Sequence, residues 1–146
     1  MKREFVSKSL ADTIRIGEEI AKLIPLGSVI VSSGDLGAGK TALAKGIAKG
    51  LGIDDTINSP TFVIIKTYEG NKANFYHIDA YRLETEEELV DIGFDDILGE
   101  ANSISYVEWG QFIKPHLNKV KKNLYSIKIQ ILDNYDRKFV LEDIYE

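Results

Sequence analysis

The 146-residue sequence contains no cysteine, which excludes a disulfide framework, a cysteine-ligated zinc site and a thiol nucleophile. Its three prolines, Pro25, Pro60 and Pro115, are far apart, and no stretch rich in proline, glycine or serine divides the chain. We therefore expect a single domain spanning residues 1–146. No apolar run approaches the ~20 residues of a membrane-spanning helix, and no signal-peptide pattern follows Met1. The composition predicts a folded cytoplasmic protein.

Positive charge is scarce as well, because 18 lysine and arginine residues are outnumbered by 23 aspartate and glutamate residues, giving a net charge of −5. This balance disfavours a stand-alone nucleic-acid binder, which would carry a basic face. Eight of the acidic residues form a run over residues 84–100, which is either a solvated helix face or a docking face for a basic partner. The sequence has only four arginines and no spare length for a lid, so it lacks the phosphate clamp expected of a small-molecule kinase.

Apolar periodicity predicts two helices and several short strands, which together indicate an α/β fold with added antiparallel strands. The first helix is expected over residues 10–24, capped by Ser9, and the second over residues 40–49. The inward stripe of the first helix is expected to comprise Leu10, Ile14, Gly17, Ala21 and Ile24. The predicted strands cover residues 28–32, 62–68, 74–79, 103–107, 124–132 and 137–141, and the last two form a C-terminal hairpin.

Residues 34–41 read GDLGAGKT and match the pattern G-x-x-x-x-G-K-[ST] at every fixed position, between a β-branched strand and a helix. Glycines let such a loop point backbone N–H groups at phosphate oxygens, and the helix start adds its positive dipole end. The motif predicts a nucleotide site in which Lys40 meets the β and γ phosphates and the Thr41 hydroxyl meets Mg²⁺. The alternative is a glycine-rich turn with an ordinary solvated lysine. The predicted cofactor-binding residues of the loop are Asp35, Leu36, Gly37, Ala38, Gly39, Lys40, Thr41 and Ala42.

A P-loop enzyme also needs an acidic group at the end of a neighbouring strand. Asp79 and Glu108 each close a predicted strand, so each is a candidate to hold Mg²⁺ or to orient the attacking water. The alternative for both is a surface carboxylate. Thr61, in the loop after the second helix, is either a switch residue that senses the γ-phosphate or Mg²⁺, or a turn residue. His77 is a lone histidine in a strand, a position more typical of a structural hydrogen bond than of a catalyst.

The sequence favours ATP over GTP. The guanine-recognition pattern Asn-Lys-x-Asp has its nearest match in residues 118–121, where Lys121 replaces the aspartate that would accept the guanine N–H groups. The features present favour a compact ATPase whose hydrolysis drives a partner protein. A regulatory module that uses ATP as a conformational switch and a small-molecule kinase are the alternatives.

Four ordered motifs resemble the bacterial TsaE/YjeE family, namely GDLGAGKT (34–41), SPTF (59–62), HIDAYRL (77–83) and VEW (107–109). The resemblance covers most of the chain. It implies a P-loop NTPase-like three-layer fold with a mostly parallel central sheet. It also implies an Mg²⁺-dependent ATPase, slow on its own, that acts with a TsaD/TsaB-like threonylcarbamoyl transferase on adenosine 37 of tRNAs that read ANN codons. The tRNA is then contacted only through that complex, and no membrane is involved.

Matched motif to motif, the resemblance makes Lys40 the phosphate lysine, Thr41 the Mg²⁺ ligand and Asp79 a Walker B-like acid. Glu108 becomes a metal-linked or water-orienting acid, and Trp109 lies beside the site. Residues that flank the base are expected at the start of the first helix and near the C-terminal hairpin, namely Leu10, Thr13 and Arg137.

The chain departs from the family pattern at two positions. Gly110 stands where a proline usually follows the tryptophan, which leaves the loop after Glu108 less rigid. Ser33 stands where an apolar residue usually precedes the P-loop glycine. Neither departure touches a catalytic side chain.

Overall fold

The computed structural model describes residues 1–34, 39–53, 65–79, 94–108 and 114–145. Its strands are β1 (Lys2–Ser7), β2 (Val29–Ser33), β3 (Ile65–Glu69), β4 (Asn74–Asp79), β5 (Ser103–Glu108), β6 (Leu124–Ile131) and β7 (Arg137–Asp143). Its helices are α1 (Leu10–Leu23), α2 (Lys40–Gly50) and two single turns, α3 (Phe94–Ile97) and α4 (Lys114–Leu117). Within the described ranges, no helix combines the length and apolar character that a membrane crossing requires.

The seven strands join one sheet in the order β1-β7-β6-β2-β5-β4-β3. The four central strands β6, β2, β5 and β4 run parallel, whereas β7 and β3 pair antiparallel with their inner neighbours. Strand β5 is buried along its whole length, as expected for a parallel strand covered on both faces. The predicted α/β fold, with a parallel centre, added antiparallel strands and a C-terminal hairpin, is confirmed.

The sheet is the middle layer of three. On one face, α1 and α2 bury residues such as Ile20 and Ile47 in the larger core cluster. On the other face, Phe94 of α3 and Leu117 of α4 join a smaller cluster. The central strands β2, β4, β5 and β6 therefore send alternate side chains into two different cores.

Helix α1 begins after Ser9, whose hydroxyl accepts a hydrogen bond from the backbone N–H of Asp12 at 3.1 Å. The predicted cap and helix are confirmed to within one residue. The predicted inward stripe is wrong at its start, because Leu10 is 65% exposed, while Ile16 and Ile20 are buried. The sheet and α2 cover adjoining sides of α1, so its buried face is centred away from Leu10.

The helices α1 and α2 touch backbone to backbone. A Cβ atom added at Gly17 would lie 2.5 Å from the carbonyl oxygen of Leu43 and 2.7 Å from the Cα atom of Gly46. Further along, Gly50 of α2 lies against Ala21 of α1. The two helices therefore run in the same direction, and the start of α1 lies beside the start of α2.

The prediction misses one observed strand, and two predicted segments lie partly outside the described residues. The edge strand β1 is missing from the predicted elements, because most of its side chains are exposed and only Phe5 packs against the core. An edge strand of this kind has little alternation to detect. The predicted strand over residues 62–68 is seen as β3, with residues 62–64 outside the described ranges. Most of the acidic segment 84–100 also lies outside them.

Candidate nucleotide site

Three polar side chains form one row across the carboxyl ends of β2, β5 and β4. Ser32 pairs in register with Glu108, and Glu108 pairs with Asp79. Residues paired in this way project to the same face of a sheet. That face is the one covered by α2, because Ile30 and Tyr106, two residues earlier on β2 and β5, pack in the core cluster that includes α2. The structure thus places both predicted acids on neighbouring strands at one edge.

Helix α2 begins at the same edge, directly after Gly39. The φ angle of Gly39 is 108°, in the left-handed region that favours glycine. Lys40, the first residue of the helix, is only 8% exposed, whereas Lys45 on the same helix is exposed. Thr41 and Ala42 follow and are half-buried. An ordinary solvated lysine, the alternative that the sequence left open, does not describe Lys40.

Tyr106 attaches the start of α2 to the sheet. Its hydroxyl donates a hydrogen bond of 3.0 Å to the backbone carbonyl of Lys40, in the buried core. Burial, and to a lesser extent the charge of Glu108, raise the pKa of the Tyr106 hydroxyl well above its ordinary value. The group therefore stays protonated and remains a donor. This bond places Lys40 above β5, next to the row whose middle residue is Glu108.

A buried histidine holds one of the two acids. The Nε2 atom of His77 lies 2.8 Å from the Oε2 atom of Glu108, with His77 fully buried and Glu108 6% exposed. The imidazole stands edge-on to the Tyr106 ring, with 5.6 Å between ring centroids. The structural role predicted for His77 is therefore observed, and its partner is a candidate site residue.

The residues predicted to flank the base lie at the beginning of the two long helices. Arg137 lies against the P-loop glycine, since its Cδ atom would be 3.3 Å from a Cβ atom added at Gly39. Ser7 pairs in register with Arg137, and its hydroxyl lies 2.6 Å from that of Thr13. The structure thus brings Arg137 and Thr13 together near the start of α2. Leu10 lies one turn before Thr13 on α1, with its side chain largely in solvent.

Several predicted site residues fall outside the described ranges, namely Asp35, Leu36, Gly37, Ala38, Thr61 and Trp109. Sequence reasoning missed two contributors, Tyr106 and the pairing of His77 with Glu108. The signal for Tyr106 was a hydroxyl in a buried strand, which must find a hydrogen-bond partner. The signal for His77 was its position two residues before Asp79, which places both side chains on one face of β4.

A family model described as threonylcarbamoyl adenosine biosynthesis protein TsaE matches residues 7–139. The chain belongs to the TsaE family. The resemblance inferred from the four sequence motifs is therefore confirmed.

Relatives of this TsaE-family chain carry the same name. The tRNA threonylcarbamoyladenosine biosynthesis protein TsaE of Treponema pallidum is 36% identical over 136 residues, which cover 93% of this chain and 97% of that protein. The protein of that name from Aquifex aeolicus is 36% identical over 138 residues, covering 93% and 92% of the two chains. The crystal structure of Bacillus subtilis YdiB has a TM-score of 0.80 at 27% identity, and the match covers 99% of this chain and 86% of that one.

The described residues of this TsaE-family site suit a nucleotide with Mg²⁺. A left-handed glycine at a helix start directs backbone N–H groups outward, as phosphate oxygens require, and Lys40 adds a positive charge. The oxygen donors are the Thr41 hydroxyl and the carboxylates of Asp79 and Glu108. Mg²⁺ is usually held by one or two carboxylates together with substrate phosphates, which is the donor set available here.

Proposed function

We propose that this chain is a Mg²⁺-dependent ATPase that acts in the biosynthesis of threonylcarbamoyladenosine in tRNA. Its family membership supports the pathway, because the relatives are named for it. The single observation that supports the chemistry is the row of Ser32, Glu108 and Asp79, which faces the helix start that carries Lys40 and Thr41. A helix start that binds phosphate beside strand-end carboxylates is the arrangement that phosphoryl transfer to water requires.

Each residue has a distinct role in this proposal. Lys40 binds the β and γ phosphates of ATP. Thr41 and Asp79 would hold Mg²⁺, which when bound neutralises negative charge on the phosphates. Glu108 orients a water molecule and draws its proton. Water adds to the γ-phosphorus while the bond to the β–γ bridging oxygen breaks, and the products are ADP and inorganic phosphate.

The proposed partners are the subunits of a TsaD/TsaB-like threonylcarbamoyl transferase, and tRNA is contacted only through them. The net charge of −5 supports this arrangement, because an acidic chain gains little from the phosphate backbone of RNA. We expect the isolated chain to shift tRNA weakly in a gel assay. Strong unaided binding would argue for direct tRNA recognition instead.

The nucleotide site is tested by Lys40→Ala, with Lys45→Ala as a matched control on the exposed face of the same helix. Loss of a charge-assisted contact to phosphate should weaken binding of a non-hydrolysable ATP analogue by about 100-fold in calorimetry. The control should bind with wild-type affinity. Equal affinities of both variants would reject the site.

Hydrolysis is tested by Glu108→Gln, in which the amide oxygen still accepts a hydrogen bond from His77. We expect the analogue to bind within a few-fold of wild type, and phosphate release to slow by about 100-fold or more, because a general base is lost. Phosphate release is measured with and without the transferase subunits. A wild-type chain that binds ATP but releases no phosphate in either condition would instead be a regulatory switch.

A further inference from the structure

The contact between His77 and Glu108 depends on the register of two parallel strands. His77 pairs with Tyr106, and Asp79 pairs with Glu108, so His77 and Glu108 are diagonal neighbours on one face of the sheet. A hydrogen bond of 2.8 Å joins Nε2 of His77 to Oε2 of Glu108 across this diagonal. The histidine therefore reaches the carboxylate from behind, on the core side of the row.

The surroundings of the imidazole determine which nitrogen carries the proton. Nδ1 of His77 is buried and has no hydrogen-bond partner among the described residues. The ring packs beside the rings of Phe75 and Tyr106, at centroid distances of 6.1 and 5.6 Å. A proton on Nδ1 would bury an unpaired N–H group among aromatic rings, which is costly. The favoured form is the neutral tautomer with its proton on Nε2, which donates to Glu108.

We propose that His77 is the positioning residue of Glu108, and that its Nε2–H group holds Oε2 so that the carboxylate keeps one orientation at the end of β5. The inference rests on the proposed function, since it assigns His77 a part in ATP hydrolysis. A glutamate side chain has several rotatable bonds, and a buried donor packed against two aromatic rings restricts that rotation. The second carboxylate oxygen remains available for the water that Glu108 orients.

The chain contains a matched control for this pair. Nδ1 of His116 lies 2.7 Å from a carboxylate oxygen of Asp95, and His116 is also buried. This second pair lines a cavity together with Gly27, Ala101 and Asn123, which precede β2, β5 and β6. It therefore lies at the amino ends of the parallel strands, on the opposite edge of the sheet from Glu108.

The kinetic test compares His77→Gln, His77→Phe and His116→Phe. The glutamine variant keeps a donor near the Nε2 position, whereas phenylalanine keeps the ring and removes the donor. We expect His77→Phe to lower kcat by roughly 10- to 100-fold with little change in KM, and His77→Gln to recover most of the loss. His116→Phe should leave both constants near their wild-type values. Equal kcat in the two His77 variants, whether normal or reduced, would overturn the positioning role.

The tautomer is tested by NMR on the wild-type chain labelled with ¹⁵N-histidine, without any measurement of ATP hydrolysis. Imidazole nitrogen shifts should show a protonated Nε2 and an unprotonated Nδ1 at His77, and the Nε2 signal should move in Glu108→Ala. A proton on Nδ1, or an Nε2 signal indifferent to Glu108, would refute the inference even if ATP is hydrolysed. A wild-type chain that hydrolyses no ATP would overturn the proposed function, and with it the catalytic part of the inference, while the tautomer result would still stand.

Discussion

Because α1 and α2 touch through their backbones at Gly17, the substitution Gly17→Ala tests how closely the two helices pack. Within a helix, replacing glycine by alanine normally stabilises the protein by about 1 kcal/mol. Here the new methyl group would lie within 2.8 Å of three atoms of α2, on Leu43, Gly46 and Ile47. All three are backbone atoms, so no side chain can rotate away. The helices would have to separate by about 1 Å to reach an ordinary contact, and overpacking of this kind costs about 3 kcal/mol.

The net loss should be about 2 kcal/mol, which for a chain of this length lowers Tm by roughly 8 °C. The change in Tm is measured by thermal unfolding followed by circular dichroism. The control is Lys45→Ala at an exposed position of α2, whose free energy of unfolding should stay within about 0.5 kcal/mol of wild type. Gly46→Ala should destabilise through the same contact, so the double variant with Gly17→Ala should lose less than the sum of the two. A Tm of Gly17→Ala at or above wild type would show that the helices do not touch in this way.

Two further predictions concern single hydrogen bonds. Tyr106→Phe removes the hydrogen bond to the carbonyl of Lys40, so it should lower the free energy of unfolding by about 1 kcal/mol. The same variant should bind an ATP analogue more weakly in calorimetry. Unchanged affinity would mean that this bond does not fix the start of α2. Hydrogen bonds to Asp95, chiefly from Lys119 and also from His116, hold the pKa of its carboxyl below the usual 3.8. The ionised carboxylate therefore stabilises the fold above about pH 4. This contribution is lost as the pH falls through the lowered pKa. The free energy of unfolding of Asp95→Asn should therefore fall less steeply than that of wild type as the pH is lowered below about 4. An identical pH dependence of the two proteins would contradict the stabilising role of the Asp95 carboxylate.

The local features of the fold could be predicted because each has a local physical cause. Ser9 caps α1 through a bond to a backbone three residues away, and the β-branched run before Gly34 is a strand buried on both faces. The strand β1 could not be predicted in the same way. Its place beside β7 is fixed by pairing with residues 130 to 140 positions later, and its exposed side chains leave no pattern in the sequence.

The site shows the same division between local and long-range information. The predicted phosphate loop and the acids at two strand ends follow from short motifs. Which strands are neighbours follows only from the sheet order, in which β5 lies between β2 and β4. That order places Glu108 beside Asp79 and within reach of His77, 31 residues away in the chain. A shift of β4 by one residue would turn His77 and Asp79 to the opposite face and leave Glu108 buried without its donor. The register of one strand pair therefore decides whether the ends of two separate strands form the candidate site.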